Sequence, residues 1–197
     1  MYKYLVISII LVVFLESIIL FKTPNNVLMI YGLLEDRSQT SEIGNSVINI
    51  VPKRIAVLKV KAFDTGCHAD FDGIRINYVT MFSDIVFNHF SGSQLKFNKN
   101  DAKKLVLYFA ERGCAINEVH PETGMAPIHS AVLGASDDYN FALDIVRMGG
   151  DLSLVVQGSS YSSVEGKTAI EIVNLIIEKG ESPYISLYKN LLKEIDG

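Results

Sequence analysis

The sequence predicts an all-α chain in which about three helix-turn-helix units stack behind an N-terminal apolar helix. Three observations carry this. Apolar residues recur at helical spacing in Asn100 to Arg112, Asp138 to Met148 and Pro183 to Ile195, and the first two stretches end on Gly113 and on the Gly149-Gly150 pair. Glycine there suits a left-handed helix end. Each of three shorter segments, starting at 80, 126 and 168, precedes one of these stretches and reads as a first helix in a common frame. Finally, Tyr4 to Phe21 runs eighteen residues with Glu16 as its sole charge, between Lys3 and Lys22.

That N-terminal run is just long enough to cross a bilayer, with Glu16 placed toward an interface if the helix tilts. A cleaved signal peptide is the rival reading, although Lys-Thr-Pro-Asn-Asn after Phe21 offers no small-residue cleavage site. A buried soluble helix is the third. Basic charges near the two ends almost balance: the amino terminus and Lys3 against Lys22 and Arg37. A lone N-terminal apolar segment on a small domain usually acts as an export signal. The domain is therefore expected in the periplasm, anchored to the inner membrane through residues 4–21, or soluble there after cleavage.

Residues 1–22 are thus expected to form the anchor or signal segment, residues 23–65 a linker and N-terminal capping unit, and residues 66–197 the repeat domain. Val27 to Leu34 is apolar enough for a helix, Asp36 to Asn45 is polar and turn-like, and the apolar pattern of Val47 to Phe63 breaks at Pro52. A solenoid end needs such an atypical unit to cover its exposed core.

The first helix starts of the repeat domain begin with Thr80 to Val86. Gly73 to Asn77, before it, reads as a finger turn. The strongest motif is Gly124-Met-Ala-Pro-Ile-His-Ser-Ala-Val132. Pro127 occupies a first helical position that needs no N–H donor, Ile128 is the buried apolar residue, His129 can tie neighbouring backbone together, and Ala131 is small enough for close packing. Thr168 to Val173 falls on the same frame without the Pro or His. This pattern resembles the T-P-L-H-x-A opening of an ankyrin repeat, with Gly113 to Asn117 resembling the finger start that follows a second helix. The resemblance covers roughly residues 66–197 and implies an ankyrin-repeat solenoid of about three degenerate repeats. Within it Gly113, Asn117, Gly124, Pro127, Ile128, His129, Ala131 and Gly149 are structural. Starts at 80, 126 and 168 are spaced by 46 and 42 residues, against an ankyrin period of about 33. The surplus belongs in long finger insertions at Ser91 to Asn98, Gly134 to Asp137 and Gln157 to Glu165.

Chemistry is sparse. The 197 residues carry a net charge of −4, and with no basic stripe to neutralise phosphates a nucleic-acid partner is not expected. Asp64, His68, Asp70 and Asp72 could ligate a cation, but a polar finger with Asx turns accounts for them without a metal. Cys114 with His129 has the residue types of a nucleophile pair, yet one follows a helix end and the other matches a structural repeat position. No enzyme, cofactor, metal or small-molecule substrate is expected. For the two cysteines, Gly66-Cys67 and Gly113-Cys114 read as equivalent positions of successive units roughly 10 Å apart. That favours two separate thiols over a bridge, which remains the alternative in an exported domain.

What remains is binding. Ankyrin fingers and first helices present one continuous face, so the candidate contact residues are Asp84, Asn88, Glu118, His120, Glu122, Tyr161, Glu165 and Asn174. Tyr161 amid serines has the character of an aromatic anchor in an adaptable loop. In architecture the chain resembles small exported bacterial ankyrin-like immunity proteins, including those accompanying phospholipase effectors of type VI secretion. That implies a protein partner, namely a cognate toxin bound and neutralised. The alternative is a periplasmic ankyrin scaffold that tethers an endogenous enzyme at the membrane.

Overall fold

The structure is a computed structural model that describes residues 2–36, 39, 48, 50–63, 66–71, 73–87, 95–158, 162–180 and 184–195, residues 2–5 and 71 by their backbone alone. Among the described residues it is mostly helical, with nine helices and one short β-hairpin. The chain divides into two compact units, Met1–Gly66 with Gln94–Asn98, and Cys67–Ser93 with Lys99–Gly197.

The first unit holds α1 (Tyr2–Lys22), α2 (Asn25–Leu33) and α3 (Lys53–Phe63). Side chains of residues 6–15 are exposed on every side of α1. Its apolar members include Ile10 at 60% and Phe14 at 63% of full exposure. Among the described residues no single helix is long and apolar enough to cross a membrane, while Val6–Lys22 and Asn25–Leu33 meet that requirement only as a pair bent by 114°. α2 buries Leu28, Met29, Ile30, Tyr31 and Leu33 against α3, which contributes Ala56 and Val60. Gly32 permits the approach, because a Cβ there would lie 2.3 Å from Val57 Cγ2. Tyr31 satisfies its buried hydroxyl by donating to Val51 O at 2.6 Å. The Lys53 ammonium donates to the Leu34 carbonyl at the end of α2, a polar group the helix cannot satisfy itself. Lys59 donates to Asn25 Oδ1 at 2.5 Å at the other end, so α2 and α3 run antiparallel.

In the second unit, β1 (His68–Phe71) and β2 (Ile74–Asn77) pair antiparallel with His68 opposite Asn77. The Gly73 to Asn77 segment is therefore a strand, not only a turn. Ile76 is buried while Arg75 is exposed, the period-two alternation of a half-covered strand. Six helices follow: α4 (Tyr78–Val86), α5 (Lys99–Glu111), α6 (Pro127–Leu133), α7 (Tyr139–Arg147), α8 (Ala169–Lys179) and α9 (Ile185–Ile195). They pack as hairpins α4 with α5, α6 with α7 and α8 with α9. The first members, α4, α6 and α8, stack on one another, and α7 packs on α9.

Four of these six helix starts have a local cause. Asn77 Oδ1 accepts from Val79 N at 2.8 Å before α4. Asp138 Oδ1 accepts from Phe141 N at 3.1 Å before α7. Thr168 and Glu171 satisfy each other's backbone N–H before α8. Pro127 opens α6. Within the α4–α5 hairpin the core is aromatic: Tyr78, Phe82 and Phe109 cluster with centroids 4.4 to 5.9 Å apart. Phe87 stacks on Phe141 at 5.6 Å.

The cysteines form a disulfide, Cys67–Cys114, with Cα atoms 5.3 Å apart, which corrects the expectation of two separate thiols. Cys67 and Cys114 are not equivalent positions of stacked units. They bracket β1, β2, α4 and α5, and the antiparallel return of α5 brings the two ends of that segment together.

Candidate protein-binding surface

Before each first helix of the second unit the chain makes a turn, and the three turns are joined side by side. The β-hairpin lies before α4, residues 118–125 before α6, and residues 155–158 with 162–168 before α8.

Glu118 joins the first to the second. Its Oε1 lies 2.7 Å from His68 Nε2, its Oε2 accepts from Asn77 Nδ2 at 3.0 Å, and its carbonyl accepts from Thr80 Oγ1 at 2.7 Å. Arg75 approaches the other ring nitrogen of His68 at 3.3 Å. Glu118 is therefore committed to internal bonding, and Glu122, at the turn's tip, is exposed with neighbouring Pro121, as is Val119.

His120 builds that tip from inside. It is buried, its Nδ1 accepts from the backbone N–H of Glu122 and Thr123 at 3.2 and 3.4 Å, and its backbone pairs with Met125. Burial pushes the imidazole below its ordinary pKa, with Glu122 opposing, so the ring is held in its neutral, accepting form. The second turn then meets the third: Gln157 N donates to Gly124 O at 3.3 Å. Gly124 has φ +66°, and a Cβ there would sit 1.9 Å from Gln157 O, so only glycine suits this crossing.

His129 ties the same region from the helix side. Its Nδ1 accepts from Ala126 N at 3.0 Å, and Nε2 lies 2.8 Å from Leu154 O, to which it donates as the ring's N–H. Burial lowers its pKa against the opposing Leu154 bond. Asn117 bridges Gly149 O at 3.0 Å and Asp151 N at 2.8 Å, joining the ends of α5 and α7. Gly113 and Gly149 adopt φ +86° and +94°. Ile128 and Ala131 are fully buried. In the third turn Glu165 is exposed, with Oε1 accepting from Gly158 N at 2.9 Å.

Two expected contact residues are corrected by burial. Asp84 is 1% exposed, in the α4–α6 junction where Ser130 donates to its Oδ1, and its Oδ2 has no hydrogen-bond partner. His120 is 4% exposed. Neither can reach a partner's surface. Asn174 is half-buried on α8. Asn88 and Tyr161 lie outside the described residues, as do Asp64 and Asp72 of the acidic stretch. Among the described residues no group of three or more His, Cys, Asp or Glu side chains is placed to hold a metal. His68 and Asp70 instead serve the hairpin, Asp70 Oδ1 accepting from Gly73 N at 3.0 Å.

The surface is therefore a row of three tips on a hydrogen-bonded base, whose exposed charged members are Asp70, Arg75, Glu122 and Glu165. Arg75 was missed from the sequence, its strand having been read as a turn. A second omission is α3, which gathers four basic residues, Lys53, Arg54, Lys59 and Lys61, and no acidic one within a chain whose overall charge is −4. No family model, curated protein or solved structure matches the chain.

Proposed function

We propose that the chain is an extracytoplasmic protein-binding module anchored through its N-terminal helix, built on degenerate ankyrin-like repeats, and that it acts as an immunity protein by binding and neutralising a cognate toxin. The observation that carries the binding reading is the row of tips. Three consecutive turns are locked to one another through Glu118, Gly124 and Gln157 while Glu122 stays free to change without touching the core. Successive hairpins that keep their base and vary their tips are how repeat proteins build recognition surfaces. The paired helices and the double role of His129 support the ankyrin-like frame.

Two further observations support the compartment. The Cys67–Cys114 bridge belongs to an oxidising environment. A helix apolar and exposed on all sides, as α1 is from residue 6 to 15, needs an apolar surrounding. Such a binder needs no catalytic group, since covering or distorting the toxin's active site suffices.

The test is co-expression of the full chain with the product of the neighbouring gene. Protection of the cells and copurification of the pair support neutralisation. Copurification with an endogenous enzyme, without any protection, replaces it with the tethering reading.

A further inference from the structure

The first unit leaves one feature unused by the binding surface: the outer face of α3. On an α-helix each residue advances the side chain by about 100°. Ile55, Leu58 and Ala62 therefore share one arc of about 60°, and all three are exposed, Leu58 at 59%. Arg54 and Lys61 border this arc on one side and Lys59 on the other. The opposite face, Ala56 and Val60, is buried against α2, so α3 has an inner apolar face for its own core and an outer one that is exposed. It has four basic residues and no acidic one.

We infer that α3 is an interfacial helix that lies on an anionic lipid surface, its outer stripe in the acyl boundary and its flanking cations on the headgroups. The inference rests on the proposed reading of α1 as an anchor. Three observations on this unit point to lipid and not to a protein. An apolar stripe edged by Arg54 and Lys61 lets long basic stems follow the apolar surface while their charges reach phosphate. Beside the stripe, where α3 ends, Phe63 meets Phe21 in the last turn of α1 edge to face, with ring centroids 6.2 Å apart, and both residues are 66% exposed, so a second bare apolar pair sits where α3 meets α1. Finally, α2 turns by 114° from α1, and α3 runs back alongside α2. With α1 along the bilayer normal, α2 is inclined by 114 − 90 = 24° to the membrane plane, which keeps the α2–α3 pair at the level where α1 emerges and does not continue it through the bilayer. Anionic headgroups complement its charge, and attraction of such basic segments falls as the lipid becomes neutral.

The chain contains no tryptophan, so a single introduced one reports its own surroundings. Full-length Leu58→Trp and, independently, Ile55→Trp are reconstituted into phosphatidylethanolamine–phosphatidylglycerol vesicles carrying acyl-chain bromines near the headgroup. Flotation of the vesicles reads anchoring, and tryptophan emission reads docking. The expected result is flotation with blue-shifted emission quenched by about twofold or more. Quenching should weaken in phosphatidylcholine vesicles or when Arg54→Glu and Lys61→Glu are added. Chains that float but leave both tryptophans red-shifted and unquenched overturn the docking of α3, keep the anchor, and assign the stripe to a protein. Chains that do not float overturn the anchor and the docking with it. Quenching indifferent to lipid charge and to the two reversals overturns the anionic-lipid assignment.

Discussion

At the junction of α4 and α6 a carboxylic acid is held away from water. Burial raises Asp84 from 3.8 to about 7, and the hydroxyl of Ser130, donating to it, opposes the shift only in part. Its folded-state pKa lies above its unfolded one, so the native state binds the proton more tightly. The stabilising contribution is full below about pH 3.8 and is lost as pH rises toward about 7. Replacing Asp84 by Asn, which cannot ionise, should leave stability little changed at pH 4 and raise it at pH 8. Thermal melts of the two proteins across that range decide this, and a stability difference constant with pH would remove the account. At the same scale, Gly124 and Gly113 both have positive φ, but only Gly124 faces a backbone that a Cβ would strike. Gly113→Ala should cost about 1–2 kcal/mol through left-handed strain. Gly124→Ala should cost more, about 2–4 kcal/mol, because Gln157 must also move. Equal costs in denaturant titrations would mean that the crossing of the two turns is not tight.

Among elements, the segment from β1 to α5 is closed by the disulfide, whose cysteines are 47 residues apart in sequence. Removing the loop constraint with Cys67→Ser and Cys114→Ser should cost about 2–4 kcal/mol, largely by freeing the unfolded chain. The β-hairpin and the start of α4 should lose hydrogen-exchange protection first, since His68 and Asn77 reach the next turn through the Glu118 carboxylate and Thr80 through the Glu118 carbonyl. Unchanged melting in the double variant, or loss of protection beginning at α8, would contradict this. α6 and α7 hold without such a bridge, since Ile128, Ala131, Phe141 and Ile145 are all buried. A charged link also joins the hairpins: Lys103 pairs with Asp138, and Lys99 with Asp137 at 3.2 Å. Both pairs are partly exposed, so each adds little to stability.

For the whole molecule, the difference between Glu118 and Glu122 separates folding from binding. Glu122→Lys changes an exposed tip and should leave the melting temperature within about 1 °C, a shift of a few tenths of a kcal/mol. Glu118→Lys breaks the bonds to His68 and Asn77 and should lower it measurably. If a partner engages the row of tips, Glu122→Lys should slow association and weaken protection of co-expressing cells, because exposed charges set encounter rate and register. Calorimetry and stopped-flow mixing on the purified pair measure both. Full protection by a folded Glu122→Lys protein would move the binding site elsewhere.

Helix positions in the second unit were legible in the sequence because their signals are local. The apolar spacing in Asn100 to Arg112, the Pro127 start and the Gly149 stop act within a turn or two of the residues that carry them, and α5, α6 and α7 lie there. The β-hairpin was hidden because four-residue strands give too few alternations to distinguish from a turn. Asp84 and His120 were placed on the surface because polarity predicts exposure. Whether a neighbouring hydroxyl or a pair of backbone N–H groups lets a polar side chain stay inside is set by residues 46 away for Asp84 and by the turn's own curvature for His120. The disulfide depended on how far α5 returns along α4. The double apolar character of α3 depended on which of its faces α2 covers. Sequence by itself determined where the chain turns helical, since capping and periodicity act through the nearest few residues. Only tertiary structure decided which polar groups are inside, which cysteines meet and which apolar face stays bare, since burial and proximity are properties of segments brought together from far along the chain.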